Sequence, residues 1–236
     1  MDGILIIDKP AGPTSHDIVQ EVKRLLAAKK VGHLGTLDPG ATGVLPLVVN
    51  GATKLAAKFN NTLKVYEFDL VLGIATDTDD DSGQVIKNKK IPKNYLKLIT
   101  KALPEFQGKI KQVPPTYSAV KLMGEPLYKK ARKGQKIQVE SREVTIYDLE
   151  ILMDSSRINS SGNPRLKMKV TCSSGTYVRA LCRDLGEKIG CCGHAARIRR
   201  LESGPFKLQD AVIFGKFRAL SLTQRCKMLK STISFV

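Results

Sequence analysis

Apolar and polar positions along this chain fall into two alternating periods. Gly3-Ile4-Leu5-Ile6-Ile7-Asp8 is a continuous apolar run that predicts a first β-strand, ended by the turn Lys9-Pro10-Ala11-Gly12-Pro13. Ile18, Val22, Leu25 and Leu26 then recur at helical spacing as far as Lys30, with Thr14 or Ser15 as N-cap and Asp17 in the first turn. Val31 and Leu34 close a strand, and Val44 to Val49 form the next extended run, broken by Pro46. A short helix is predicted over Ala52 to Phe59, and a strand carrying Tyr66 over Val65 to Leu72. Further on, helices are predicted from after Pro92 to about Leu103, over Val178 to Ile189 and around Thr223 to Lys230. Strands are predicted over Ile110 to Val113, Val144 to Met153, Leu166 to Cys172 and Ala195 to Leu201. Strands outnumber helices and occur in adjacent runs, so the expected class is α+β, with a mixed, mainly antiparallel sheet and flanking helices.

Composition narrows what such a fold would meet. The 236 residues suffice for one large domain, and the apolar and charged fractions of 42% and 26% are those of a globular protein. The departure is a formal net charge of +17, from 39 Lys and Arg against 22 Asp and Glu, which favours a polyanionic partner, nucleic acid first. No apolar run approaches the roughly 20 residues that span a bilayer. The start of the chain has an acidic flank and too short an apolar core for a signal peptide, so a cytoplasmic protein is expected. Cys172, Cys182, Cys191, Cys192 and Cys226 are odd in number, and two are adjacent, a poor disulfide framework. Cys191-Cys192-Gly193-His194 lacks the paired spacing of a zinc site, and no metal is expected. The acidic loop Thr76-Asp77-Thr78-Asp79-Asp80-Asp81-Ser82-Gly83 fails as an EF-hand, having Ser82 and Asn88 where Gly and Glu are needed.

Two segments carry candidate chemistry. In Val31 to Leu45, four glycines and a proline surround one imidazole, His33, and one carboxylate, Asp38. Pro39 biases Asp38 away from helical geometry, so the carboxylate sits on a constrained loop that can present it in one orientation. An isolated Leu-Asp-Pro-Gly is more often a plain turn, so the rest of the chain has to decide. The second segment, Lys121 to Arg142, carries Lys121, Lys129, Lys130, Arg132, Lys133, Lys136 and Arg142 interleaved with Tyr128 and preceded by Tyr117. A charge run alone is usually a solvated face, but with +17 overall it reads as an arm contacting nucleic acid.

Several motifs together resemble one family, the pseudouridine synthases of the TruB type. They are Asp8-Lys9-Pro10, Gly32-His33-Leu34-Gly35-Thr36-Leu37-Asp38-Pro39, Gly43-Val44-Leu45, Lys64-Val65-Tyr66 and Thr76-Asp77-Thr78 to Gly83. Pro114-Pro115-Thr116-Tyr117-Ser118-Ala119-Val120-Lys121, Gly175-Thr176-Tyr177-Val178-Arg179 and Arg199-Arg200-Leu201 complete the set. They occur in family order over about residues 3 to 206. The resemblance implies the pseudouridine synthase catalytic fold over 1–210, including a basic RNA-contacting arm at about 114–143, with 211–236 as a short C-terminal extension. It implies isomerisation of uridine to pseudouridine at position 55 in the T-loop of tRNA, on a flipped-out base, by a monomer acting on the T-arm. The reaction is redox-neutral and loses no atoms, so no cofactor is expected.

By the resemblance, Asp38 is the nucleophile, whether it attacks ring or sugar or deprotonates the sugar. Arg179 is its partner cation, and Tyr66 stacks on the uracil. Leu201, with Ile198 or Tyr177, would form the apolar wall opposite, and His33 would take the place of the flipped nucleotide in the RNA stack. Lys9 and Pro10 would line the pocket, and Lys121 would contact phosphates. Full-length relatives continue into a PUA domain, which the residues after Phe206 do not resemble, so weaker or more salt-sensitive tRNA binding is expected. The rival reading is a tRNA-binding folding chaperone on the same scaffold, with catalysis secondary or lost.

Overall fold

A computed structural model describes residues 2–59, 61–118, 121–122, 125–126, 139–158 and 162–231. In chain order the elements begin with β1 (Gly3–Lys9), α1 (Ser15–Leu25), β2 (Val31–His33) and β3 (Thr42–Val49), followed by a 3₁₀ segment over Asn50–Phe59. Next come β4 (Lys64–Leu72), β5 (Ile74–Thr76), β6 (Val85–Asn88), α2 (Tyr95–Ala102) and β7 (Gly108–Gln112). The two-residue strands β8 (Lys121–Leu122) and β9 (Glu125–Pro126) precede β10 (Arg142–Ile158), β11 (Pro164–Cys172), α3 (Val178–Lys188) and β12 (Gly193–Ser203). β13 (Phe206–Lys207), β14 (Val212–Ile213), α4 (Phe214–Ala219) and α5 (Leu222–Lys227) complete the order. The chain divides into two compact units, one of residues Met1–Tyr66 with Arg197–Val236 and one of Glu67–Ala196.

In the first unit the strand order is β14-β1-β3-β12, with β2 added to β3 and β13 to β12. β1 and β3 are antiparallel from Gly3 opposite Val49 to Lys9 opposite Gly43, whereas β14 joins β1 and β12 joins β3 in parallel. The sheet is therefore mixed. The unbroken apolar run of β1 follows from burial on both faces. Leu5 and Ile7 join Ile18, Val19, Val22 and Leu26 of the α1 region, while Ile4 and Ile6 join Leu34, Val44, Val48, Phe59 and Phe206 on the other side. Pro46 does not interrupt β3. It lies between the stretch paired with β12 and the stretch paired with β2, and its carbonyl accepts the Leu34 N–H.

Helix α1 starts on a reciprocal cap, Thr14 Oγ1 accepting from the Asp17 N–H and the Asp17 carboxylate accepting from the Thr14 N–H. It ends at Leu25, short of the expected Lys30, because Ala27 turns left-handed at φ 47°. The C-terminal residues are tied into this unit. Arg225 donates to the carbonyls of Leu25, Phe217 and Arg218, and Ile4 and Lys230 exchange backbone hydrogen bonds at 3.0 and 2.8 Å.

In the second unit the order is β4-β11-β10-β7, and β10 pairs antiparallel with both β11 and β7. β5 and β6 form a separate hairpin around the acidic loop. Of the basic segment, Lys129, Lys130, Arg132, Lys133 and Lys136 lie outside the described residues, as does the side chain of Lys121. Helix α3 lies flush against the following chain: a Cβ on Gly186 would stand 2.4 Å from the Gly193 nitrogen. Gly186→Ala is accordingly expected to lower the urea unfolding midpoint, a loss of about 1–3 kcal/mol from overpacking; an unchanged midpoint would refute this close contact.

Candidate active site

The loop between β2 and β3 carries Asp38, and its shape is set by what its carbonyl groups meet. Lys9, at the end of β1, is fully buried, and its ammonium donates to the carbonyls of Pro10 (2.9 Å), Pro39 (3.0 Å) and Ala41 (2.8 Å). Ser15, the first residue of α1, accepts the Leu37 N–H and donates to the Leu37 carbonyl, both at 2.9 Å. Arg200 on β12 is 1% exposed and donates to Val44 (2.8 Å), Thr36 (3.2 Å) and Gly35 (3.0 Å). The Asp38 carbonyl takes the Ala41 N–H, and the Pro39 carbonyl also takes the Gly12 N–H. The loop's main chain is thus bound at nearly every acceptor, and the half-buried Asp38 side chain is carried on a frame with few alternatives.

The electrostatics follow from two cations buried beside a carboxylate. Burial lowers the Lys9 pKa to about 8; the Asp38 carboxylate opposes that change, and the charge of Arg200 adds to it. The attraction is mutual, so Lys9 favours the ionised form of Asp38. His33 precedes the loop on β2. Burial, Arg200 and His16 all lower its pKa, which favours the neutral ring. Its Nδ1 is buried without a hydrogen-bond partner among the described residues.

The other sequence-predicted residues divide between the units. Tyr66, half-buried on β4, packs against the apolar cluster that contains Leu37 and Ala41, and Ile198 packs against the same cluster. Pro10 is exposed, and Leu201 is half-buried on β12. All of these share the first unit with Asp38, Lys9 and His33. Tyr177 and Arg179 belong to the second. Tyr177 precedes α3, and its N–H and carbonyl are both held by the Gln112 side chain, at 2.8 and 3.1 Å. Arg179 is 4% exposed; it donates to the carbonyls of Thr78 (2.8 Å) and Tyr117 (3.0 Å) and lies 3.6 Å from the Asp80 carboxylate.

Sequence reasoning missed three parts of this arrangement. The acidic loop supplies counterions: Asp80 faces Arg179, and Asp79 pairs with Arg183 at 2.8 Å. Burial raises the Asp79 pKa, and Arg183 opposes that rise. Ser15 is a loop clamp, the cap itself being Thr14. Arg200 is buried, and the sequence reading of the Ala195 to Leu201 strand assigned it no role of its own. A detectable signal existed for the acidic loop, in the excess of carboxylates over any calcium pattern; none marked Arg200 from its neighbours. Cys191 and Cys192 are buried free thiols, and the His194 ring contacts the Ile74 carbonyl at 3.0 Å. Among the described residues no group of His, Cys, Asp and Glu is placed to hold a metal ion. No helix among them is long and apolar enough to cross a membrane.

Residues 23–178 match the model of the TruB family pseudouridylate synthase N-terminal domain. The chain belongs to the TruB family. Residues 179–233 match the tRNA pseudouridylate synthase B C-terminal domain. Similar relatives include the tRNA pseudouridine synthase B of Xanthomonas campestris pv. campestris (strain B100), 44% identical over 220 residues, covering 93% of this chain and 69% of that one. The enzyme of the same name from Geobacter sulfurreducens is 42% identical over 221 residues, covering 94% and 70%. Among solved structures, a Cbf5-Nop10-Gar1 complex aligns with TM-score 0.69 at 28% identity, over 97% of this chain and 60% of that one. An H/ACA RNP bound to a substrate RNA containing 2′-deoxyuridine aligns with TM-score 0.67 at 25% identity, over 97% and 56%. The chain therefore spans less than two thirds of those structural neighbours.

The buried ammonium in this TruB-family loop has a measurable linkage. The folded pKa of Lys9 lies below its unfolded value of 10.5, so folding releases a proton between about pH 8 and 10.5. Within that window the stability of the native protein, relative to Lys9→Met, is expected to rise with pH, and below pH 8 the difference is flat. Parallel urea midpoints for the two proteins across the window would show that Lys9 titrates normally.

Proposed function

We infer that this protein converts uridine to pseudouridine in tRNA. The relatives that it matches over more than nine-tenths of its length are named tRNA pseudouridine synthase B. The substrate position we propose is uridine 55 in the T-loop, approached through the T-arm by a monomeric, cytoplasmic enzyme. In this reaction the N1–C1′ bond of one nucleotide breaks, the freed uracil turns, and C5 bonds to C1′. C5 gives up a proton and N1 ends with one, so the product is an isomer of the substrate.

One observation carries the reading at the level of residues: Asp38 stands on a loop whose main chain is held by two buried cations and a serine. A carboxylate that must react with a base taken out of its stack needs a fixed position and an environment that keeps it ionised when water is excluded. Lys9 serves both needs from behind the loop. Its ammonium is occupied by carbonyls, so it acts on Asp38 through charge and loop geometry. In the proposed site Tyr66 presents its ring to the uracil, and Leu201 supplies apolar contact. His33, its neutral form favoured by burial and its Nδ1 without a partner among the described residues, enters the space vacated in the RNA stack. Arg179 is the cation that the family resemblance assigns to the chemistry, held by the Thr78 and Tyr117 carbonyls. The net charge of +17 draws the tRNA backbone, with Lys121 and the basic arm as phosphate contacts.

Incubation with an unmodified tRNA transcript, followed by mapping of pseudouridine through chemical adducts, is expected to give product at the T-loop uridine. Asp38→Asn should lower the single-turnover rate by at least about 10³-fold while the Kd for tRNA changes little. Binding by the native protein without product would favour the chaperone reading. Product from Asp38→Asn at the native rate would remove the nucleophile assignment. A plot of log Kd against log salt concentration is expected to be linear, steep and independent of the Asp38 substitution.

A further inference from the structure

We propose that Arg200 is the positioning residue that aims Asp38. This rests on the isomerase reading and adds to it a residue outside the reacting groups. The guanidinium of Arg200 reaches both limbs of the loop: Gly35 and Thr36 precede Asp38, and Val44 follows it. One planar group with fixed donor directions therefore joins the two ends of the excursion, a task that the point charge of a lysine cannot reproduce. Its partners are main-chain carbonyls, so it constrains the path of the loop whatever side chains the loop carries.

The root of Arg200 is fixed as firmly as its head. Its main chain stands opposite Gly43 in the parallel pairing of β12 with β3. Gly43 has φ +101°, and a Cβ there would stand 2.2 Å from the Arg200 carbonyl oxygen. On the neighbouring position Arg199 donates to Asp8 (2.8 Å) and to Thr42 Oγ1 (3.3 Å), which ties β12 to β1 and β3. Arg200 thus transfers the position of the sheet to the loop. The apolar clusters on the two faces of that sheet do not include it. Its loss should displace the loop and spare the core.

The experiment compares the native full chain with Arg200→Lys on an unmodified tRNA transcript. It measures the single-turnover rate at saturating enzyme, the Kd for the transcript and amide hydrogen exchange along the chain. The expected result is a folded variant whose rate falls by about 10²-fold, the loss that follows a misplacement of about 1 Å. The Kd should stay within about threefold, and exchange should quicken at Leu37 and Ala41 with little change in β1 and β3. A rate within about threefold of native would overturn the proposal. So would a fall in rate matched by an equal loss of binding, or a variant that does not fold, since either would place the role of Arg200 outside the loop. If the native protein itself makes no product, the isomerase reading fails instead, and exchange at Leu37 and Ala41 then decides whether Arg200 holds the loop.

Discussion

The site depends on the burial of two cations whose partners are peptide carbonyls. Lys9 and Arg200 are 0% and 1% exposed, and between them they occupy six carbonyl groups. Removing an ammonium or a guanidinium from water is costly, and it is tolerated only when its donors are satisfied in good geometry. A carboxylate could satisfy either cation, but it would also neutralise the field at Asp38. Peptide dipoles supply hydrogen bonds without a compensating formal charge. Lys9 and Arg200 therefore bring formal positive charge to the Asp38 loop through hydrogen bonds to neutral partners, and the charge on Lys9 suits an ionised Asp38.

The second unit solves the same problem differently. Arg179 combines two carbonyls with a nearby carboxylate, and Arg183 contacts Asp79 and Asp184 directly, at 2.8 and 2.9 Å. Those carboxylates come mainly from the loop between β5 and β6, which resembled a failed calcium site by spacing alone. Negative charge gathered on that loop holds side chains of α3 in place. Acidic clusters with no cation-binding pattern deserve to be weighed against buried arginines elsewhere in the chain before being assigned to solvent.

The strands and the helices were legible in the sequence wherever burial followed one period. β1, β4, β11, α3 and the start of α1 fall where apolar spacing puts them, because each buries one face or both. Helix α4 was missed because it is only six residues long and buries just Phe214 and Phe217. β6 was missed because its residues are exposed and leave no apolar signature. At the site, Asp38 stood out through its glycines and proline, which are properties of the local chain. The contributions of Ser15 and Arg200 come from contacts over 22 and 156 or more positions of separation. No local pattern distinguishes a buried arginine from its exposed neighbours.

The carbonyl-directed clamp has a consequence for how such a loop can vary. Gly35, Thr36, Pro39 and Gly40 have exposed side-chain positions, while their main chain is bound from below wherever Lys9 and Arg200 reach it. Every residue type owns a carbonyl, so the clamp does not read what is displayed above it. Thr36, held through its carbonyl, is therefore a position whose exposed side chain can be varied without redirecting the carboxylate two residues away. The constraint on the loop is stored in β1, α1 and β12, and the loop's own surface is left available for recognition.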